Sequence, residues 1–145
     1  MERSSGAAPS PRRGRSDPAA PSALTVHIAD AGDGTARVAL LGELYLGTIR
    51  KAETVLLEQV TQRPAVLVDL SSLTFIDSSG IGTLIRALRS ANGTPVNVVI
   101  GPGSQVERVF RIAGVSEALR VFTDPERALA GLAAARDGHS QDAAG

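Results

Sequence analysis

The chain predicts an α/β domain: a mostly parallel or mixed sheet of about five strands covered by about four helices, in the order ββαβαβαβα. Three observations carry that prediction. Short apolar runs rich in valine and isoleucine alternate with segments whose apolar residues recur at helical spacing. Two strand-like runs stand first, on either side of the turn cluster Asp30-Ala31-Gly32-Asp33-Gly34, as in a hairpin. The chain is 145 residues long and 43% apolar, which suits a single domain with a real core.

Residues 1–22 contain no Leu, Ile, Val or Phe and are dominated by Pro, Gly, Ser and Ala. Such a segment cannot bury enough apolar surface to offset its ordering entropy, so a disordered leader is expected. Its Arg12, Arg13 and Arg15 read as part of a solvated tail. The domain is expected over 23–136, with 137–145 as a flexible tail.

Order begins at Ala23. Leu24, Val26 and Ile28 alternate with Thr25, His27 and Ala29, the period of a half-buried strand. Thr35 to Leu41 resumes strand composition, and Gly42-Glu43-Leu44-Tyr45 ends it. Ile49, Ala52, Leu56 and Val60 then recur at helical spacing, with Thr48 as the expected cap and Pro64 as the stop. Ala65 to Leu70 is a continuous apolar run, as in a central strand covered on both faces.

After the Ser71–Ser79 connection comes the strongest helical signal, Ile81, Leu84, Ile85 and Leu88. Arg86 and Arg89 suit its C-terminal half, and Asn92-Gly93 stops it. Val96 to Ile100 is another buried strand. Ser104 and Glu107 form a capping box for a helix that buries Val106, Val109 and Phe110 and ends near Gly114. Ala118 to Phe122 is a short edge strand. Thr123 and Glu126, with Pro125 between them, open a last helix to about Arg136.

Composition narrows the function. Fifteen basic and fifteen acidic side chains cancel, so neither nucleic acid nor a membrane surface is the expected partner. Without cysteine there is no disulfide or thiolate chemistry. Aromatic content of 3% argues against base-stacking platforms. No apolar run reaches the roughly 18 residues of a membrane span, and no signal-peptide centre is present, so a cytoplasmic protein is expected.

Catalysis finds little support. His27 sits in the first strand and His139 in the tail, poorly placed to activate a serine, and Ser78 lacks a G-x-S-x-G frame. Gly80-Ile81-Gly82 and Gly101-Pro102-Gly103 extend to no phosphate-loop motif, and Gly80 and Gly82 are read as points of close helix–sheet approach. Spacing alone would allow Asp69 and Asp77 to share a cation, but Asp77 is the natural cap of the helix that follows, and that reading is preferred. No enzyme, metal site or cofactor is expected.

That leaves the turn Asp77-Ser78-Ser79-Gly80. A helix start needs one capping side chain, and this one offers three in succession. The stretch from Val66 to Gly82, with Leu70-Ser71-Ser72-Leu73-Thr74-Phe75-Ile76-Asp77-Ser78-Ser79-Gly80-Ile81-Gly82 at its centre, resembles the signature of the STAS domain of bacterial anti-sigma factor antagonists. Gly42-Glu43-Leu44 and Val109-Phe110-Arg111-Ile112-Ala113-Gly114-Val115 are similar to that family as well.

The resemblance covers residues 23–136 and implies the STAS fold. It further implies binding to an anti-sigma factor that is also a serine kinase, release of a sigma factor, and phosphorylation at the first serine after the aspartate, Ser78. A PP2C-type phosphatase would reset the switch. The implied binding surface is Asp77, Ser79 and Gly80, the exposed face of the next helix through Thr83, Arg86 and Ala87, and the 42–47 loop with Glu43 and Tyr45. Tyr45 stands where the family places an acid near the phosphorylation site, a departure that bears on partner choice and on phosphorylation. The rival readings are a non-switching STAS scaffold in a sensory or transporter-associated complex, and small-molecule or nucleotide binding at the strand ends.

Overall fold

The computed structural model of the chain describes residues 24–115 and 118–144. The expected leader at 1–22, and Ala23, lie outside the described residues. Strands β1 (Leu24–Asp30) and β2 (Ala36–Leu44) form the antiparallel hairpin, in register from Leu24 opposite Gly42 to Asp30 opposite Ala36. Its turn is closed by the Asp30 carboxylate, which accepts the Gly32 N–H at 2.7 Å, and by positive φ at Gly32, Asp33 and Gly34.

Helix α1 (Ile49–Gln62) leads to the fully buried strand β3 (Val66–Leu70), then the short strand β4 (Leu73–Ile76) and helix α2 (Ser78–Arg89). Strand β5 (Val96–Ile100), helix α3 (Gln105–Ala113), strand β6 (Val121–Phe122) and helix α4 (Pro125–Ala144) complete the order. The sheet runs β1-β2-β3-β5-β6, with β4 paired to the far end of β2, and every pairing after the hairpin is parallel.

Side-chain alternation splits the core into two layers. Val38, Leu40, Val66, Val68, Leu70, Val98 and Ile100 face α1, α2 and α3 through Leu56, Val60, Leu84, Val106 and Phe110. On the other side Leu67 and Val99 pack under Ala128 and Leu132 of α4. Each large buried side chain contributes on the order of 1.5–3 kcal/mol. This arrangement is why strands β3 and β5 read as apolar runs: both of their faces are covered.

Five expectations are corrected. The sheet has six strands rather than about five, because Leu73–Ile76 pairs with β2. Its burial pattern exposes Thr74 and Phe75 in succession, so no alternation marks it in the sequence. The edge strand is confined to Val121–Phe122, and α4 continues past Arg136 to Ala144 in an alanine-rich, proline-free segment. Thr48 makes no cap bond to α1; its hydroxyl instead ties the preceding loop, 2.9 Å from the Glu43 carbonyl and 3.1 Å from the Tyr45 N–H. At α4 it is Asp124, not Thr123, that accepts the Glu126 N–H, at 3.0 Å.

Candidate functional site

The connection between β3 and α2 is built from its polar anchors. Asp69, near the end of β3, is 5% exposed and accepts bonds from the Ser71 N–H at 2.9 Å, the Ser71 hydroxyl at 2.6 Å and the Arg37 guanidinium. Burial pushes its pKa up, but the Ser71 bonds and then Arg37 outweigh burial and hold the carboxyl below its ordinary range. Asp69 is therefore committed to structure.

Strand β4 then runs beside the end of β2, where the register shifts at Gly42/Glu43 and Gly42 adopts φ 107°. The Thr74 hydroxyl donates to the Gly42 carbonyl at 2.9 Å, and the Asp77 N–H reaches the Leu44 carbonyl at 3.3 Å. Asp77 has extended geometry and caps α2, its Oδ1 accepting the Gly80 N–H at 3.0 Å. Ser78 is the first residue of α2 and is exposed; Ser79 is half-buried.

Gly80 brings the helix hard against the sheet. A Cβ there would stand 2.7 Å from the Leu44 carbonyl oxygen and 2.8 Å from the Ile76 side chain. Gly82 has no such duty, since a Cβ would meet only the Arg86 guanidinium, at 3.5 Å. The expected close approach belongs to Gly80 alone.

The face of α2 expected to be exposed is corrected in part. Thr83 and Ala87 are 0% exposed, turned inward where α2 packs beside α1. Thr83 donates to the Ser79 carbonyl at 3.1 Å and accepts Arg86 Nη2 at 3.1 Å. The outward residues are Ser78, Arg86 and Arg89. Arg86 is exposed and pairs with Glu53 of α1 at 3.4 Å, a surface contact that stabilises by at most about 1 kcal/mol.

The 42–47 loop lies beside the turn through the β2–β4 pairing, which sets Glu43 opposite Phe75 and Leu44 opposite Ile76. Glu43 is exposed and Tyr45 half-buried, its ring close enough to Gly47 that a Cβ there would sit 2.8 Å from Cε2. Leu46 is 71% and Phe75 40% exposed, an apolar pair on either side of this pairing that the sequence reading did not single out.

Gln105, between Ser104 and Glu107 of the capping box, carries no signal of its own in the sequence. Its side chain accepts the Ile76 N–H at 3.0 Å and donates to the Ile76 carbonyl at 3.1 Å. A cavity of about 290 Å³ lies elsewhere, against α3 and the ends of β5 and β6, lined by Ile100, Glu107, Phe110, Arg111, Val121 and Thr123. Among the described residues no cluster of three His, Cys, Asp or Glu could hold a metal ion, and no helix is long and apolar enough to cross a membrane.

The family model of the STAS domain matches residues 29–128, a span from β1 into α4 that includes the whole turn and its supports. The chain belongs to the STAS domain family. This STAS protein is 30% identical over 118 residues to the anti-sigma-F factor antagonist RsfB of Mycobacterium tuberculosis, covering 81% of this chain and 96% of RsfB. Its fold is similar to that of an anti-sigma factor antagonist from Mycobacterium paratuberculosis (TM-score 0.69, 23% identity, 75% of this chain and 93% of that one). It is also similar to the anti-sigma factor antagonist SpoIIAA in its unphosphorylated form (TM-score 0.57, 19% identity, 71% and 92%). The expected STAS fold is thus the observed one, six-stranded with four helices.

Proposed function

We propose that this STAS protein is an anti-sigma factor antagonist: it binds an anti-sigma factor serine kinase through the Asp77-Ser78-Ser79-Gly80 turn, so releasing a sigma factor, and phosphorylation of Ser78 ends the binding. The observation that carries the reading is the division of labour in the turn. Asp77 makes the cap, and the exposed Ser78 takes no part in it. The homology to RsfB supports the antagonist role, and SpoIIAA has been solved in both phosphorylated and unphosphorylated forms.

The physical consequence of a phosphate follows from its position. A phosphoryl group on Ser78 adds about −1.5 to −2 charges near neutral pH. The first turn of α2 tolerates that charge, because free N–H groups and the helix dipole face it. A partner seated on the turn would have to desolvate the dianion beside Asp77, at several kcal/mol. Taking a complex from 99% bound to 99% free needs about 5.5 kcal/mol of differential affinity, of the same order. The switch therefore acts at the interface and leaves the fold intact.

Partner contacts beyond the turn are assigned to Arg86, to Glu43 and Tyr45 of the neighbouring loop, and to the outward part of α2. Thr83 can act only from beneath, by holding Arg86. A PP2C-type phosphatase would restore the binding form.

The test is a pull-down with wild type, Ser78→Ala and Ser78→Asp, with identification of the captured protein. Ser78→Ala is expected to retain the anti-sigma factor and Ser78→Asp to lose it; equal capture by both overturns the switch. Incubation of the captured kinase with wild type and ATP should add about 80 Da at Ser78. A protein that binds but never gains this mass is the non-switching scaffold instead.

A further inference from the structure

We infer that Gln105 is the positioning residue of the Ser78 turn: its side-chain amide completes the free edge of β4 and so sets where the acceptor serine stands. This rests on the reading of Ser78 given above and adds the residue that holds it in place.

Among the described residues strand β4 has a single strand neighbour, β2. Successive residues of a strand direct their backbone polar groups to opposite edges, and here the Asp77 N–H goes to β2, at the Leu44 carbonyl. Those of Ile76 therefore face the other edge, where none of the described strands lies. Gln105 fills that place. Its Oε1 accepts the Ile76 N–H at 3.0 Å while its Nε2 donates to the Ile76 carbonyl at 3.1 Å. A carboxamide carries an acceptor and a donor side by side, as a neighbouring strand would, whereas a carboxylate lacks the donor and an ammonium lacks the acceptor.

The clamp has a firm base. Gln105 is the first residue of α3, whose start is fixed by Ser104 accepting the Glu107 N–H at 3.1 Å and by Glu107 accepting the Gly103 N–H at 2.7 Å. Val106 and Phe110 bury the same helix in the core. The backbone entering the Asp77 cap is thus held on one edge by β2 and on the other by α3. Without Gln105 it would hang on β2 alone, just past the register shift at Gly42/Glu43. The turn would loosen while α2 stays packed through Ile81 and Leu84.

The experiment compares wild type, Gln105→Met and Gln105→Glu, first by amide hydrogen exchange on each free protein. Gln105→Met keeps the bulk and removes both bonds, so Ile76 and Gly80 should exchange about tenfold faster, with Leu84 and Val98 unchanged. Gln105→Glu keeps the acceptor, so Ile76 should stay protected. Each protein is then phosphorylated with ATP by the kinase captured with wild type. Gln105→Met should raise KM about tenfold with kcat little changed, and Gln105→Glu should fall between.

Equal exchange at Ile76 in wild type and Gln105→Met overturns the clamp, and so does faster exchange spread evenly over the sheet. A wild type that the kinase leaves unmodified overturns the acceptor reading of Ser78, and the positioning role with it, even where the exchange data uphold the bonds themselves.

Discussion

Two helices of this domain begin in nearly the same way and put their serines to different use. Helix α3 leaves β5 through Gly101-Pro102-Gly103, and Ser104 caps it. That hydroxyl is spent: it accepts the Glu107 N–H at 3.1 Å and donates to the Gly101 carbonyl at 2.6 Å. Helix α2 leaves β4 with Asp77 in the capping position, accepting the Gly80 N–H at 3.0 Å. Ser78 follows one residue later, exposed and outside the cap. A serine at a helix start is structural or available according to whether it occupies the cap itself. The shift of one position, with aspartate supplied ahead of it, is what makes Ser78 an accessible hydroxyl on a rigid support.

The largest way to break the contrast is to remove the support. Gly80→Ala would force a Cβ into the Leu44 carbonyl at 2.7 Å and the Ile76 side chain at 2.8 Å. Since one of those neighbours is backbone, the helix must shift, and a loss of about 3 kcal/mol is expected in denaturant titration. Gly82→Ala, two residues on, meets only Arg86 at 3.5 Å. Replacing a mid-helix glycine there should stabilise by about 0.5–1 kcal/mol. If both alanines behave alike, Gly80 is not the point at which α2 is seated.

A smaller effect sharpens the contrast directly. Ser104→Ala removes a cap and should lower stability by about 1 kcal/mol, whereas Ser78→Ala should lie within about 0.5 kcal/mol of wild type. Melting temperatures of the two variants suffice to check this. A Ser78→Ala protein as damaged as Ser104→Ala would give Ser78 a structural role and remove the basis for its assignment.

Much of this arrangement was legible in the residues. Strands β3 and β5 announce themselves as apolar runs because both faces are buried, and α3 by a serine and a glutamate at the right spacing. Strand β4 escaped because it is four residues long with exposed Thr74 and Phe75 at its centre. The buried face of α2 is only half legible, for a different reason. Periodicity registers large apolar residues, which finds the buried Ile81 and Leu84 but adds Ile85 and Leu88, both only partly buried. Beside Ile81 and Leu84 the interior holds Gly80, Thr83 and Ala87, small residues that let α2 lie close to the sheet and to α1. Gln105 was invisible for a third reason. Its partner Ile76 is 29 residues away, and nothing local in either segment signals the bond.

The smallest expected effect concerns an anchor outside both caps. The Ser71 carbonyl lies 3.3 Å from where a Cβ on Gly101 would stand, so the exits of β3 and β5 touch. Ser71 is in turn held by Asp69: burial pushes its carboxyl pKa up, but the Ser71 bonds and then Arg37 hold it below its ordinary range. A folded-state pKa below the unfolded one contributes stability that is complete above the unfolded value and is lost as pH falls through the folded one. Wild type should therefore keep this contribution at pH 7 and lose it in acid below about pH 4, while Asp69→Asn should lack it at pH 7 and lose less on acidification. Because Asp69 bonds Ser71 and Arg37 and neither of the two serines, acid should weaken Ser104→Ala and Ser78→Ala proteins equally. The stability gap between them should then survive the titration. A gap that closes in acid would mean that Asp69 serves one helix start and not the other, and the two would then differ in their foundations as well as in their caps.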